Sequence, residues 1–532
     1  MFSTFSTVSD PEEWQRKQPA VDLETAIPQF ATVHGRRAHI DDDLEEDIPA
    51  PQKHSTLTVP DRTYLQTGVG RDKSFASSTS TLMAKKDTPG PASLPKKRYG
   101  KFPRHLRYTV LSVYRRLSLL VLLPNILTMI ILGAQGRLFS VPPQSMATAV
   151  SINITASVLM RQELVINMLF IIFGKCPQSF PLRIRRLAAK IYHLGGVHSG
   201  AGIAAVVWFL LYNVNLVKAM QGRLLEGVGA GILFLTVLLD ILFVGIVVLS
   251  HPALRARMHN TWEMTHRFAG WAAIIDFWIQ FGLLSQLQRQ TRLPPPKLTE
   301  IFLKSPNFWC LLVVTVSLAL PWLRLRKVPV EAEHLSPHAV RLHFTYTNLP
   351  LCAAPRISDS PLKEWHAFAG IPEESGQGFS IIVSKAGDWT AKIIRNPPRR
   401  LWIRGIPTRG VLHVAPIFKK LVLVATGSGV GPILALLYAR KLNCRILWST
   451  RDPETTYSKS VIEHVRLADP NAVIINTSAS GKRPPLKEET YRLYVESGAE
   501  AVFIISNPKT TRDVVYGLES RGVPVFAPIF DS

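Results

Sequence analysis

Between residues 117 and 323 the chain carries six long apolar runs: Leu117–Ala134, Ala147–Phe173, Val197–Tyr212, Gly229–Leu249, Phe268–Leu284 and Asn307–Leu323. A helix rises about 1.5 Å per residue and a bilayer core is about 30 Å thick, so these lengths predict a six-helix transmembrane bundle. The second run is interrupted by Arg161-Gln162-Glu163. After Arg324-Leu325-Arg326-Lys327 the pattern shortens to alternating segments, Val340–Tyr346, Phe379–Ser384 and Arg400–Arg404, separated by prolines and glycines. These predict a small antiparallel β-barrel. From about Pro416, apolar strands at Leu421–Ala425, Arg445–Ser449, Ala472–Asn476 and Ala501–Ser506 alternate with helical segments, which predicts an α/β domain with a parallel sheet. Residues 1–95 are rich in Ser, Thr, Pro and charge and hold no sustained apolar period, so a disordered cytosolic tail is expected there. The predicted domains are therefore 1–95 (tail), 96–323 (helical), 324–415 (barrel) and 416–532 (nucleotide-binding).

Composition sharpens this division. Of 532 residues 47% are hydrophobic and mean hydropathy is +0.13, which fits a chain half in and half out of a membrane. The formal charge of +24 does not point to nucleic acid, because the basic residues crowd the ends of the apolar runs, as in Lys96, Lys97, Arg98, Lys101, Arg104 and Arg107. Such clusters suit anionic lipid on the cytosolic face. With the amino terminus inside, the inner flanks hold 19 Lys/Arg and the outer loops seven, so both termini are expected in the cytosol, at the plasma membrane or an endomembrane. The last outer loop, with Arg289, Arg292, Lys297 and Lys304, runs mildly against this bias. The opening residues lack an apolar core, so no cleavable signal peptide is expected. Four scattered cysteines show no zinc-type spacing.

Three groups of residues carry candidate chemistry. Gly427-Ser428-Gly429-Val430-Gly431-Pro432 joins a predicted strand to a predicted helix, a turn whose backbone N–H groups can approach a diphosphate closely. Ser449-Thr450-Arg451 follows the next strand, where an NADH site places an acidic residue on the ribose. Hydroxyls and an arginine there favour NADPH, with Asp452 close behind. Arg161, Glu163, Asp240 and Asp276 fall near mid-membrane in this topology, where ionisable groups are costly unless paired. They are expected either to lock helices as an ion-pair cluster, Arg161 with Asp240 or Asp276, or to form a proton or ligand site.

The order of helical, barrel and βαβ segments over residues 105–532 resembles the ferric reductase and NADPH oxidase superfamily, and most of all the fungal TmpA-type membrane flavoproteins linked to asexual development. Trp365-His366-Ala367-Phe368-Ala369 is similar to the family's H-P-F-T flavin motif, Gly387-Asp388-Trp389-Thr390 to its G-x-W-T turn, and Gly427–Pro432 to its nicotinamide-nucleotide loop. Ser506-Asn507-Pro508 stands where the family has C-G-P, and Phe530 near its flavin-stacking terminal aromatic. Ala367 and Ala369 replace the motif's proline and hydroxyl residue, and the diphosphate loop reads Arg404-Gly405-Ile406-Pro407-Thr408-Arg409-Gly410.

The resemblance implies a membrane-bound oxidoreductase with a ferredoxin reductase-like soluble half. FAD would be held by Trp365, His366, Phe368, Arg404 and Arg409, and NADPH by Gly427, Ser428, Gly429, Gly431, Pro432, Ser449, Thr450 and Arg451. Ser506 and Phe530 would sit at the ring-transfer site. It also implies haem between paired histidines 13–14 residues apart. Here His193, His198 and His266 supply only a cytosolic-side set, since Val207, Tyr212, Ile279 and Gln280 stand at the outer positions. One inner haem is the most the histidines allow, and Trp208 and Trp278 lie near the depth of the missing outer one. The electron acceptor is not legible. A membrane sensor that binds nucleotide with little turnover is the alternative expectation, and a transporter a third that leaves the soluble domains unexplained.

Overall fold

The computed structural model describes residues 93–220, 227–439 and 442–529. Its helical half consists of α1 (Val113–Ala134), α2 (Pro143–Leu159), α3 (Glu163–Gly174), α4 (Gly195–Ala219), α5 (Val228–Leu249), α6 (His259–Gln290) and α7 (Pro306–Leu323). Five of these, α1 and α4 to α7, are long and apolar enough to cross a bilayer; α2 and α3 make a sixth only if counted as one bent span. Small residues let α1 and α4 meet backbone to backbone. A Cβ on Gly196 would stand 2.1 Å from the Tyr114 carbonyl oxygen and one on Gly200 2.5 Å from that of Ser118. Together with buried Ala204 they form an i, i+4, i+8 seam of the kind that joins helices where lipid offers no hydrophobic drive.

The second predicted span needs correction. The chain bends by 67° at Met160-Arg161-Gln162, so α2 ends at Leu159 and α3 leaves in a new direction. One face of α3 packs on the soluble half. Asn167 Nδ2 donates to the Pro407 carbonyl (3.0 Å) while its Oδ1 accepts from the Arg409 N–H (2.9 Å). Phe170 meets His413 edge-on with centroids 6.3 Å apart. The other face exposes Leu164, Met168 and Ile172, spaced i, i+4, i+8.

The expected ion-pair cluster also fails to form. Glu163 pairs with Arg356 of the soluble half. Asp240 accepts both its bonds from Asn213 Nδ2, at 2.9 Å each. Asp276 is buried and, among the described residues, neither carboxylate oxygen has a hydrogen-bond partner. The Arg161 guanidinium lies instead beside Gly195, where a Cβ would come within 3.3 Å of Nη2. The bend explains the difference, because it moves Glu163 to the junction with the β domain, against Arg356 and Ile406.

The β domain contains β1 (Arg326–Pro329), β2 (Glu331–Ser336), β3 (Ala339–Phe344), β4 (Ala353–Ser358), β5 (His366–Ala367), β6 (Ile371–Pro372), β7 (Phe379–Ser384) and β8 (Arg400–Arg409), with α8 (Asp388–Arg395). The pairings form two four-stranded antiparallel sheets, β1-β8-β4-β5 and β2-β3-β7-β6, rather than the single closed barrel the sequence predicts. Alternation puts Val340, Leu342 and Phe344 inward opposite Phe379, Ile381 and Val383, all fully buried. Removing a side chain of this size from water stabilises by about 1.5–3 kcal/mol.

The last domain runs β9 (Leu421–Thr426), α9 (Val430–Ala439), β10 (Cys444–Thr450), α10 (Pro453–Ala468), β11 (Val473–Asn476), α11 (Leu486–Ser497), β12 (Ala501–Ile505), α12 (Pro508–Glu519) and β13 (Val525–Phe526). All five strands are parallel in the order β11-β10-β9-β12-β13. Helices cover both faces, so β9 is apolar throughout and Leu421 to Ala425 are all buried. The predicted tail 1–95 lies outside the described residues except at its end. There Leu94 packs on the core of this domain and the Pro95 carbonyl accepts from Arg521 Nε (2.8 Å), so these two residues belong to the folded domain rather than to a tail.

Candidate nucleotide crevice and arginine cavity

The strand order reverses direction between β9 and β12, and in an open parallel sheet the crevice beyond the strand carboxyl ends at that reversal is where ligands bind. Both edges of this crevice are occupied by residues the sequence singled out. Gly427, with φ of +52°, begins the turn after β9, and its carbonyl accepts from Trp448 Nε1 (3.0 Å). Gly429 approaches β12 so closely that a Cβ would lie 2.2 Å from the Ile505 carbonyl oxygen. Gly431 lies under Ile371 and Ile382 of the β domain, at 3.6–3.7 Å from its notional Cβ, and Pro432 continues into α9. Ser428 is half-buried in the same turn. Across the crevice, Ser506 Oγ bonds Thr426 Oγ1 at 2.5 Å, tying the ends of the two central strands together. Thr426 is the member of this pair that sequence reasoning missed; its position at the end of a predicted strand beside Ser506 was the available signal.

At the end of β10 the three predicted residues divide. Ser449 and Thr450 are buried, as is Tyr457 of α10, whose hydroxyl burial holds above its ordinary pKa. Arg451 alone is exposed and free to reach a ligand at the crevice mouth. Asp452 bonds the Asn476 amide (3.0 Å) and so faces β11 rather than a ribose. Phe530 lies outside the described residues.

The flavin-motif residues do not gather as one surface. His366 and Phe368 both turn to the Trp389 indole, stacked at 4.1 and 6.1 Å between centroids, and so build the β domain. Trp365 does something else: with Trp322 at the end of α7 it forms an edge-to-face corner against the Arg404 guanidinium, 4.5 and 4.7 Å from the two ring centres. Arg409 is farther along β8, bonded to the Leu351 carbonyl and His413 Nδ1, each at 3.4 Å. Of the proposed flavin ligands only Arg404 lines the cavity where the end of α7 meets β4 and β8.

That cavity, of about 500 Å³, is bounded by Arg324, Arg326, Tyr346, Asn348, Leu349, Arg404, Gly405 and Pro407 among others. Its size suits a nucleotide-class ligand. Arg326 lies over the Tyr346 ring at 4.9 Å. Among the described residues none of Arg324, Arg326 or Arg404 forms an ion pair, and Arg404 Nε is buried without a hydrogen-bond partner. Burial, with Arg356 and Arg267 nearby, lowers Arg404 to about 9. A buried guanidinium in this state is a donor lacking an acceptor, so the residues fit a phosphate-bearing group.

In the helical half, His198 and His266 come together with ring centroids 6.1 Å apart, while His193 stacks on Tyr192 at 4.2 Å and stays out of the pair. His198 Nδ1 bonds the Ser157 hydroxyl (2.9 Å) and carbonyl (3.0 Å), the arrangement that leaves the other ring nitrogen to a ligand. At the missing outer position Phe209, Phe243, Phe277 and Tyr212 form one aromatic cluster with centroids 5.3–6.0 Å apart. Trp208 and Trp278 are not its core; they bond Asn125 and Thr315.

The chain therefore ends in a doubly wound α/β domain that follows an antiparallel β domain. The family described as adenylate-forming reductase 03009, C-terminal domain, matches residues 411–532. Two relatives from Coprinopsis cinerea align along most of the chain. Adenylate-forming reductase 03009 is 43% identical over 439 residues and adenylate-forming reductase 06235 is 42% identical over 442, each covering 82% of this chain. The chain spans only 42% of the length of either relative. Both are called adenylate-forming reductases, whereas the sequence motifs suggested ferric reductases of the TmpA type. Among solved structures, a ferredoxin NADP+ reductase from Neisseria gonorrhoeae with bound FAD and NADP is similar over 39% of this chain and 99% of its own, at 16% identity and TM-score 0.32. A flavohemoglobin from Malassezia yamatoensis with bound FAD and heme is similar over 72% of this chain and 98% of its own, at 13% identity and TM-score 0.33. Likenesses this distant do not bear on function.

Proposed function

We propose that the chain is a membrane-bound oxidoreductase that takes reducing equivalents from NADPH, with FAD as its resident cofactor and an acceptor on the cytosolic side or within the inner leaflet. The observation that carries this reading is the crevice at the β9–β12 reversal, where Gly427–Gly429 and the Thr426–Ser506 pair face each other. The glycine turn and the start of α9 bind a dinucleotide diphosphate, and Arg451 takes the 2′-phosphate that distinguishes NADPH. The Thr426–Ser506 bond holds the crevice floor in place beneath the nicotinamide. In the adjoining β domain Arg404, Arg326 and Asn348 would hold FAD by its phosphates, with Tyr346 beside them. FAD, when bound, accepts two electrons from a nicotinamide and releases them to an acceptor. His198 and His266 would hold a single haem, which would supply one-electron transfer, and among the described residues an aromatic cluster stands where a second pair would be.

The bilayer is the partner we propose for the helices, on the strength of five apolar helices of spanning length and the cytosolic bias of Lys and Arg. The alternative, a sensor that binds nucleotide without turnover, draws on one observation: His366 and Phe368 both stack on Trp389 within the β domain. Comparing NADPH and NADH binding to the purified protein and to Arg451→Ala tests the nucleotide reading. The variant should weaken NADPH at least tenfold more than NADH; equal effects on both would remove Arg451 from the site.

A further inference from the structure

The turn at Gly405 already holds an anion. Gly405 has φ of +66°, and this left-handed conformation directs the following Ile406 N–H outward from β8. The Glu163 carboxylate, 2% exposed, accepts from Ile406 N (2.5 Å) and from Arg356 Nη1. A Cβ on Gly405 would lie within 2.1–2.5 Å of all three carboxylate atoms, so glycine is required for the acid to enter. A backbone N–H, an arginine and a glycine at positive φ make a niche of the kind that receives phosphate oxygens. Here the niche is filled from the helical half of the chain, by the first residue of α3.

Two features tie this niche to the cavity beside it. Gly405 is shared between them, and Arg404, which lines the cavity, feels the Glu163 charge. Four residues along α3, Asn167 makes its paired bonds to Pro407 and Arg409. The half of β8 left uncovered by β1, which pairs only as far as Ile403, is thus capped by two α3 side chains in place of a strand.

Resting on the flavin reading above, we propose that Glu163 is a resident anion standing in a phosphate position of the flavin site, so that a phosphate-bearing flavin displaces it and loosens α3 from β8. Glu163 is then a specificity-determining residue for the cofactor's phosphates. It also connects cofactor loading to the helix that joins the membrane bundle to the soluble domains.

The test uses the full chain in phosphatidylcholine nanodiscs, titrated with FAD and with riboflavin, which lacks phosphate. Glu163→Gln keeps the shape and removes the charge. It should tighten FAD by roughly tenfold or more, the worth of about one charge-assisted hydrogen bond, and leave riboflavin unchanged. In the wild-type protein, FAD and not riboflavin should raise hydrogen exchange across residues 163–174, a readout that does not depend on the variant folding. FAD binding that is equal in both proteins, or weaker in the variant, or that leaves α3 protected, overturns the proposal and spares the flavin reading. If neither flavin binds either protein, both fall. Release of α3 by phosphatidylglycerol in the nanodisc without flavin would assign the niche to a lipid phosphate and overturn the assignment to flavin.

Discussion

Truncating Arg185 is expected to uncouple the C-terminal α/β domain from the helical half. Arg185 lies in the connector between α3 and α4, with its side chain only 4% exposed. It meets Glu500, at the start of β12, through two bonds of 2.6 and 2.8 Å. It also donates to the Ile417 and Phe180 carbonyls at 3.1 and 2.9 Å. Breaking a buried pair by removing one partner costs about 3–5 kcal/mol, because the other charge is stranded. Glu500 keeps the Lys419 N–H (2.7 Å) and an 18% exposed edge, which places the loss for Arg185→Ala near the lower end. A double-mutant cycle with Arg185→Ala and Glu500→Ala, read by chemical unfolding of the purified full chain, should give a coupling of about 2–3 kcal/mol. The interaction also sets a pH window. Arg185 first, then the Lys419 N–H, holds the Glu500 carboxyl below its ordinary pKa. Its contribution is therefore present above the ordinary carboxylate range and is lost as pH falls through the lowered folded-state value. The double variant should be less acid-sensitive than wild type. Additive single effects, with an unchanged acid limb, would refute the pair's role as the domain clasp.

Gly429→Ala should abolish NADPH binding and lower stability by about 1–3 kcal/mol, since the new Cβ would meet the Ile505 backbone, which no rotamer change relieves; unaltered binding measured by nucleotide fluorescence would mean that the turn is looser than described. Intact cells expressing the protein should show no gain in ferric reduction outside the membrane, because Phe209, Phe243 and Phe277 pack together where the proposed topology would need a second haem; a gain dependent on the protein contradicts the proposed acceptor.

The elements legible in advance were those whose physics is local. Runs near twenty apolar residues gave α1 and α4 to α7, and the β-branched run before Gly427 gave β9 and the turn after it. What escaped depends on contacts distant in sequence. The run Ala147–Phe173 is apolar enough for one span, and its break at Arg161-Gln162-Glu163 acquires meaning only through Arg356 and Ile406. His366 and Phe368 match a flavin motif by residue type, but which way a strand turns its side chains is set by partners, here Trp389. Strand β13, two residues long, carries no periodicity to read. Arg404 was recognised as a basic residue near a diphosphate loop; its contact with both Trp322 and Trp365 needed α7 folded against the β domain.

The account rests most directly on whether this chain passes reducing equivalents from NADPH to a bound flavin. Purified full-length protein, reconstituted with FAD and mixed anaerobically with NADPH, should show flavin absorption that bleaches with NADPH and far more slowly with NADH. Flavin absorption that persists after NADPH is added, or protein that retains no flavin at all, would contradict it.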